Sequence, residues 1–326
     1  MKNDDTMWAV GRNDSGQLDN ERAGKIYFFP APSPRASQLT DPQKIALNPD
    51  DFKRFIQAID ALGASPNVLV KLAELAKDPD ADLGSIYGLL RNDGPLSADI
   101  IRISNSPYYS PVALHSNLTS AIHQIGLREV HRVVNLSLSR QLFARDLPGY
   151  GISAQDYWNQ SIAAALVMEA LAKHADLNPD DAYTIGILHA IGRVLINRVV
   201  DEKGFSIFWD GHQPLEEWER ETVGFDYAEA GALLLEHWRF PATTCEVIRW
   251  QLNPERTVEQ VSLPGALQCT LRLLALTGSG FENQIREFPG TDPFVRASGL
   301  TPKLLREFIS RCENDLQRIR QSVSVK

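Results

Sequence analysis

Two stretches of this chain, Ile162 to Leu171 and Ala182 to Ile196, are apolar on nearly every side of a helical wheel. A helix of that kind has no face for water and must be enclosed by others, so the pair predicts an all-α protein built around two central helices. Length agrees, because 326 residues exceed a typical single domain and predict one large core with appendages, or two packed parts.

The flanking segments read mostly as amphipathic helices. Phe52, Phe55, Ile56 and Ile59 recur at helical spacing over Asp50 to Ala61. Ser65 as N-cap and Pro66 at the first helical position open the next helix, with Val68, Leu69, Leu72, Leu75 and Ala76 as its buried stripe and Asp78-Pro79-Asp80 as its stop. Another begins near Asp82, and Leu96 to Ile103 is again amphipathic before the proline-containing loop Asn105 to Pro111. Thr119 to Gly126 and Leu127 to Phe143 predict two helices, with Gly126 as a left-handed cap. Asp226-Tyr227-Ala228-Glu229 has the spacing of a capping box opening a helix to Trp238, and helices near Leu263 to Leu276 and Pro302 to Ile319 follow. Rich in Asn, Asp, Gly, Ser and Pro, the first 45 or so residues predict an extended or disordered arm, in which Lys25 to Phe29 is a short strand-like run.

Charge and cysteine usage narrow the function classes. A net charge of −8 opposes non-specific nucleic-acid binding, so nucleic acid is not the expected partner. Two basic clusters, Arg128, His131, Arg132, Arg140 and Arg145, and Lys303, Arg306, Arg311, Arg318, Arg320 and Lys326, lack the interleaved aromatics of a single-strand platform and read as solvated helix faces. No stretch approaches the roughly 20 apolar residues that span a bilayer, so no membrane role is expected. The start lacks the order of a secretory signal, and Cys245, Cys269 and Cys312 form no CxxC pair; together they predict a reducing cytoplasm.

The usual catalytic patterns are missing. None of the seven histidines pairs with another at the i, i+4 spacing that puts two imidazoles on one helix face. There is no Gly-x-Ser-x-Gly elbow, and Gly278-Ser279-Gly280 follows a helix instead of opening one after a strand, so it reads as a turn.

Five ordered motifs, Asp78 to Leu83, Asn105 to Tyr109, Ser120 to Val130, Leu188 to Arg193 and Gly224 to Pro241, resemble an HDOD domain, the HD-related output domain of bacterial signalling proteins. The likeness covers roughly residues 62 to 255. It implies an all-helical fold in two parts, a helical bundle packed on a half similar to the HD metal-dependent phosphohydrolase core. The division expected is an arm over 1–47, a helical subdomain over 48–146, an HD-like subdomain over 147–255 and a helical extension over 256–326.

At the positions where the resemblance implies metal ligands, the sequence departs. His189 is followed by Ala190 in place of an aspartate. Gln160 stands where a Trp-x-His helix carries its histidine, Tyr227 stands at another histidine position, and Trp250-Gln251 lies near a later His-His pair. An alanine methyl supplies no donor and an amide coordinates weakly, so neither a metal nor another cofactor is expected. The resulting vestigial cleft is lined by Gln160, His189, Arg193, Tyr227, Trp250 and Gln251. Such a cleft either captures a small-molecule or nucleotide ligand or is filled by Tyr227 and Trp250, with His189 a buried core histidine. Arg193 on a central helix needs an anionic partner, for which Glu221 and Asp226 are the candidates.

The resemblance implies a non-catalytic regulatory module acting through a partner protein of a signalling pathway. Residual metal-dependent phosphohydrolase or phosphodiesterase activity, or nucleotide sensing in the same cleft, are the alternatives. Leu147-Pro148-Gly149-Tyr150-Gly151 predicts a hinge between the parts near Asp146 to Ser153.

Overall fold

In the computed structural model the described residues are 67–77, 83–91, 93–106, 109, 114–202, 208–210, 213–253, 261–276 and 292–324. The expected arm, the helix over Asp50 to Ala61, the Ser65-Pro66 start and the Gly278 turn lie outside them. Among the described residues the chain is helical, with no strand and a single isolated bridge between Leu147 and Ile152.

Four helices come first: α1 (Asn67–Lys77), α2 (Leu83–Leu90), α3 (Gly94–Ser104) and α4 (Leu118–Leu142). Asp93 caps α3 by accepting from the Leu96 amide at 2.9 Å, and Asn117 caps α4 through the Ser120 amide. α1, α2 and α3 all pack on α4, burying Leu72, Ile86, Leu90, Leu96, Ile100 and Ile122. α4 is two helices run together. Gly126 sits between them at φ 78° and ψ 166°, so the expected break is there, but in an extended conformation reserved for glycine instead of the left-handed helical one.

The second group is α5 (Ala154–His174), α6 (Pro179–Leu188), α7 (Gly192–Glu202), α8 (Leu215–Val223), α9 (Tyr227–His237) and α10 (Ala242–Arg249). Three more, α11 (Leu263–Leu276), α12 (Pro293–Ala297) and α13 (Pro302–Ser324), complete the described fold. α5 is its hub and touches α4, α6, α11 and α13. Its closest neighbour is α6, because Gly186 has no side chain: a Cβ there would lie 2.6 Å from the Ala165 Cα. α13 covers α5 with Leu305, Ile309, Cys312, Leu316 and Ile319, all buried along one stripe. Enclosure of α5 is what its all-round apolar sequence required.

The stretch Ala182 to Ile196 is not one helix. It turns at His189, Ala190 and Ile191, between α6 and α7. The reason is a second backbone contact, at Gly192, where a Cβ would come within 2.0 Å of the Tyr227 carbonyl oxygen. α7 must change direction at that point to pack on α9. Side chains take up the carbonyls at the break: Gln251 Nε2 donates to His189 O at 2.7 Å, and the Tyr157 hydroxyl donates to Ala190 O.

The link from Asp146 to Ser153 differs from the loose hinge expected of its Pro and Gly residues. Pro148–Tyr150 forms a 3-10 turn closed by the Leu147 amide on Ile152 O at 2.8 Å, and the Trp209 amide donates to Gly149 O at 2.8 Å. Leu147, Gly149, Tyr150 and Ile152 are buried, so apolar side chains hold the link against the body.

Candidate functional site: a buried polar cluster

The turn at His189 opens onto an unusual group of side chains. α7 contributes Arg193, α8 Glu219, α9 Tyr227, α5 Tyr157 and the link Tyr150, and every one of them is buried. Arg193, 2% exposed, lays its guanidinium 4.2 Å from the centroid of the Tyr227 ring and 5.9 Å from that of Tyr150. A guanidinium is desolvated there at considerable cost, which aromatic faces offset in part.

Glu219 is the buried carboxyl of this cluster. Its carboxylate accepts the Tyr150 hydroxyl at 2.9 Å on one oxygen and the Tyr227 amide at 2.8 Å on the other. Complete burial pushes its pKa up to about 8, while the Arg193 charge, the Tyr227 N–H and the Tyr150 hydroxyl pull it back. Burial also raises Tyr150, Tyr157 and Tyr227, and the Arg193 charge opposes it at all three. One cation thus acts on a whole set of oxygen-bearing side chains.

The carboxylate facing Arg193 is therefore neither of the two expected. Asp226 caps α9 through the Glu229 amide at 2.8 Å and pairs with Arg220 at 2.5 Å, and Glu221 is exposed. Glu219 escaped the sequence reading because α8 was not recognised as a helix. Its signal was present all the same: Leu215, Trp218, Glu219, Thr222 and Val223 fall at i, i+3, i+4, i+7 and i+8, which places a carboxylate inside an apolar stripe.

His189 is buried, and its Nδ1 faces Gly186 O at 2.7 Å, so Nδ1 carries the proton and donates it to that carbonyl. Burial lowers its pKa to about 4, with the Arg193 charge adding to the effect, so the ring is neutral near pH 7. Gln251 is buried and ties α10 to the turn, donating also to Ile248 O at 3.0 Å; its own carbonyl accepts from Gln268 Nε2 on α11. Of the six residues expected at the cleft, His189, Arg193, Tyr227 and Gln251 are in the interior. Gln160 is half-buried on α5, and Trp250 is 38% exposed at the end of α10, so it does not fill the interior.

These residues do not fit a divalent cation. Among the described residues no three His, Cys, Asp or Glu side chains converge. The positive charge beside His189 belongs to Arg193, and the Tyr227 ring lies against that guanidinium. The first basic cluster is divided, with Arg140 and Arg145 exposed and two members turned inward. His131 is buried, and Arg132 pairs with Glu169 at 3.0 Å and Glu129 at 3.3 Å while lying 5.2 Å from the Tyr183 ring centroid, joining α4 to α5 and α6. The second is exposed along α13, from Lys303 to Arg320. No helix among the described residues is long and apolar enough to cross a membrane.

Fold and site define an all-helical, HD-related protein whose central turn is packed with a charge cluster. The HDOD domain model matches residues 62–254, and the chain belongs to the HDOD family. It is similar to a Shewanella amazonensis SB2B structure named "Putative phosphohydrolase", at 21% identity and TM-score 0.56, covering 83% of this chain and 98% of that one. A Marinobacter aquaeolei VT8 structure named "Putative signal transduction protein" aligns at 20% identity and TM-score 0.56, over 88% of this chain and 62% of that one. A Treponema pallidum (strain Nichols) protein of uncharacterised function is 24% identical over 251 residues, 73% of this chain. This chain spans about half, 48%, of the length of that curated relative.

Proposed function

We propose that the chain is a non-catalytic signal-transduction module that acts in the cytoplasm by contact with a partner protein. The observation that carries this reading is the Arg193 guanidinium stacked on Tyr227 beside Glu219 and His189, at the turn where the HD-like resemblance puts metal ligands. A side-chain cation there competes with a metal for the same carboxylate. Family membership supports a role in signalling, as does the name of the Marinobacter protein. Three free, buried cysteines fit a reducing compartment.

Metal analysis of the purified protein, with an assay for phosphodiester hydrolysis, tests this directly. Sub-stoichiometric iron, manganese and zinc with no hydrolysis is the expected result. Stoichiometric metal, together with hydrolysis that disappears in His189→Ala, would establish the phosphohydrolase reading instead. A thermal-shift panel of nucleotides separates out the sensor reading, since a ligand at 100 times its Kd adds about 2.7 kcal/mol to stability. Affinity capture followed by a purified two-component binding measurement then identifies the partner.

A further inference from the structure

The link between α4 and α5 is held by a contact that differs in kind from the packing around it. Tyr150 lies at the end of the 3-10 turn, buried, with its ring edge-on to Trp218 at 5.7 Å and its hydroxyl donated into the Glu219 carboxylate at 2.9 Å. The contact thus joins the link to α8 and, through the Tyr227 amide on the other carboxylate oxygen, to the start of α9. Gly151, at φ 68°, lets the chain reverse immediately after Tyr150, and Leu147 and Ile152 close the base of the loop. One tyrosine is therefore presented on a narrow loop and inserted between a buried carboxylate and a buried guanidinium.

We propose that the Tyr150–Glu219 contact is a latch, closed in this structure, whose opening frees the 144–153 link and lets α1–α4 change orientation against α5–α10. Such a latch does not depend on whether the chain acts through a protein partner. Its physical basis is compensation. Withdrawing Tyr150 breaks one hydrogen bond, but it also admits water to Glu219 and Arg193, two groups that burial penalises when charged. A hinge needs only a few loop residues that absorb the change in backbone angles, and the link beside this contact supplies them. The interface that would shift is partly polar: Arg132 on α4 pairs with Glu169 on α5 at 3.0 Å, while its pair with Glu129 stays within its own helix.

The test uses the full chain labelled with spin probes at His123→Cys on α4 and Thr243→Cys on α10, both exposed, while the native cysteines are buried. Tyr150→Phe keeps the ring and removes only the hydroxyl. It is expected to add a second distance population and to raise amide exchange over 144–153 about tenfold, as loss of one buried hydrogen bond allows. Glu219→Leu is expected to act in the same direction, because it can accept from neither the Tyr150 hydroxyl nor the Tyr227 N–H. Tyr157→Phe, which removes a hydroxyl from the same core but not from the link, is the control and should leave the distance unchanged. Equal effects in Tyr150→Phe and Tyr157→Phe would mean general loosening and overturn the latch, as would no change in either. A Tyr150→Phe protein that only unfolds as a whole, with no range in which the link opens first, counts equally against it.

Discussion

Arg193 and Tyr227 are in face contact, guanidinium to ring centroid 4.2 Å, and this pair carries a full charge into a part of the fold where both residues are 2% exposed. The same guanidinium pulls the buried Glu219 carboxyl back from the rise that burial imposes, so the two groups are linked.

Removing one of them alone should therefore be severe. Above pH 8, where Glu219 is ionised, Arg193→Met is expected to destabilise the fold by about 3 to 5 kcal/mol, since it leaves a buried carboxylate without a cation. The double variant Arg193→Met with Glu219→Leu should recover much of that loss. Urea unfolding of the two single variants and the double checks it: additive losses would show that the residues act independently.

His189 predicts a pH dependence of definite sign. Its pKa falls from 6.5 to about 4 on burial, so between those values the unfolded chain binds a proton that the folded chain refuses. Stability from this group is complete above pH 6.5 and declines as the pH falls towards 4, by at most about 3 kcal/mol. Glu219 has the opposite trend, because its raised value of about 8 makes the folded state hold a proton through the range from 4.5 upwards, so stability falls as pH rises across that range. Comparison with His189→Gln isolates the histidine. The wild type should lose stability relative to the variant as pH drops below 6.5, and parallel pH curves would refute the assignment.

Two glycines of contrasting surroundings give a steric test. Gly192→Ala puts a methyl within 2.0 Å of the Tyr227 carbonyl oxygen, which forces α7 from α9 at a cost of about 3 kcal/mol or more. Gly88→Ala, inside α2 with nothing within 4 Å of the new methyl, should stabilise by about 0.5 to 1 kcal/mol through helix propensity. Melting temperatures moving in opposite directions is the expected outcome.

The cysteines should be inert until the fold opens. Burial pushes Cys245 up to about 11, Cys312 up to about 12 and Cys269 well above its ordinary value. A thiol reagent at pH 8 should titrate none of them at once in the native protein and all of them after denaturation. Rapid reaction of any one under native conditions would contradict its burial.

Much of the architecture was legible before any coordinates. Local chemistry marks the helix starts: Asp226 caps α9 three residues before Glu229, and Pro302 opens α13. All-round apolarity marks α5 as enclosed, because no other arrangement hides every face of such a helix. The residue types Ala190, Gln160 and Tyr227, at positions where the resemblance implies metal ligands, are likewise written in the sequence, which no packing can change.

Which partners surround these residues depended on long-range contacts. Ala182 to Ile196 reads as one helix, and only the approach of Gly192 to the Tyr227 carbonyl, 35 residues away in sequence, makes it two. Pro148 and Gly149 read as a free hinge, yet Glu219 reaches across 69 positions to hold Tyr150 in place. Composition and periodicity report which surfaces must be buried. Which buried charge meets which is decided when distant helices come together, since a carboxylate in an apolar stripe acquires its meaning from the cation packed against it.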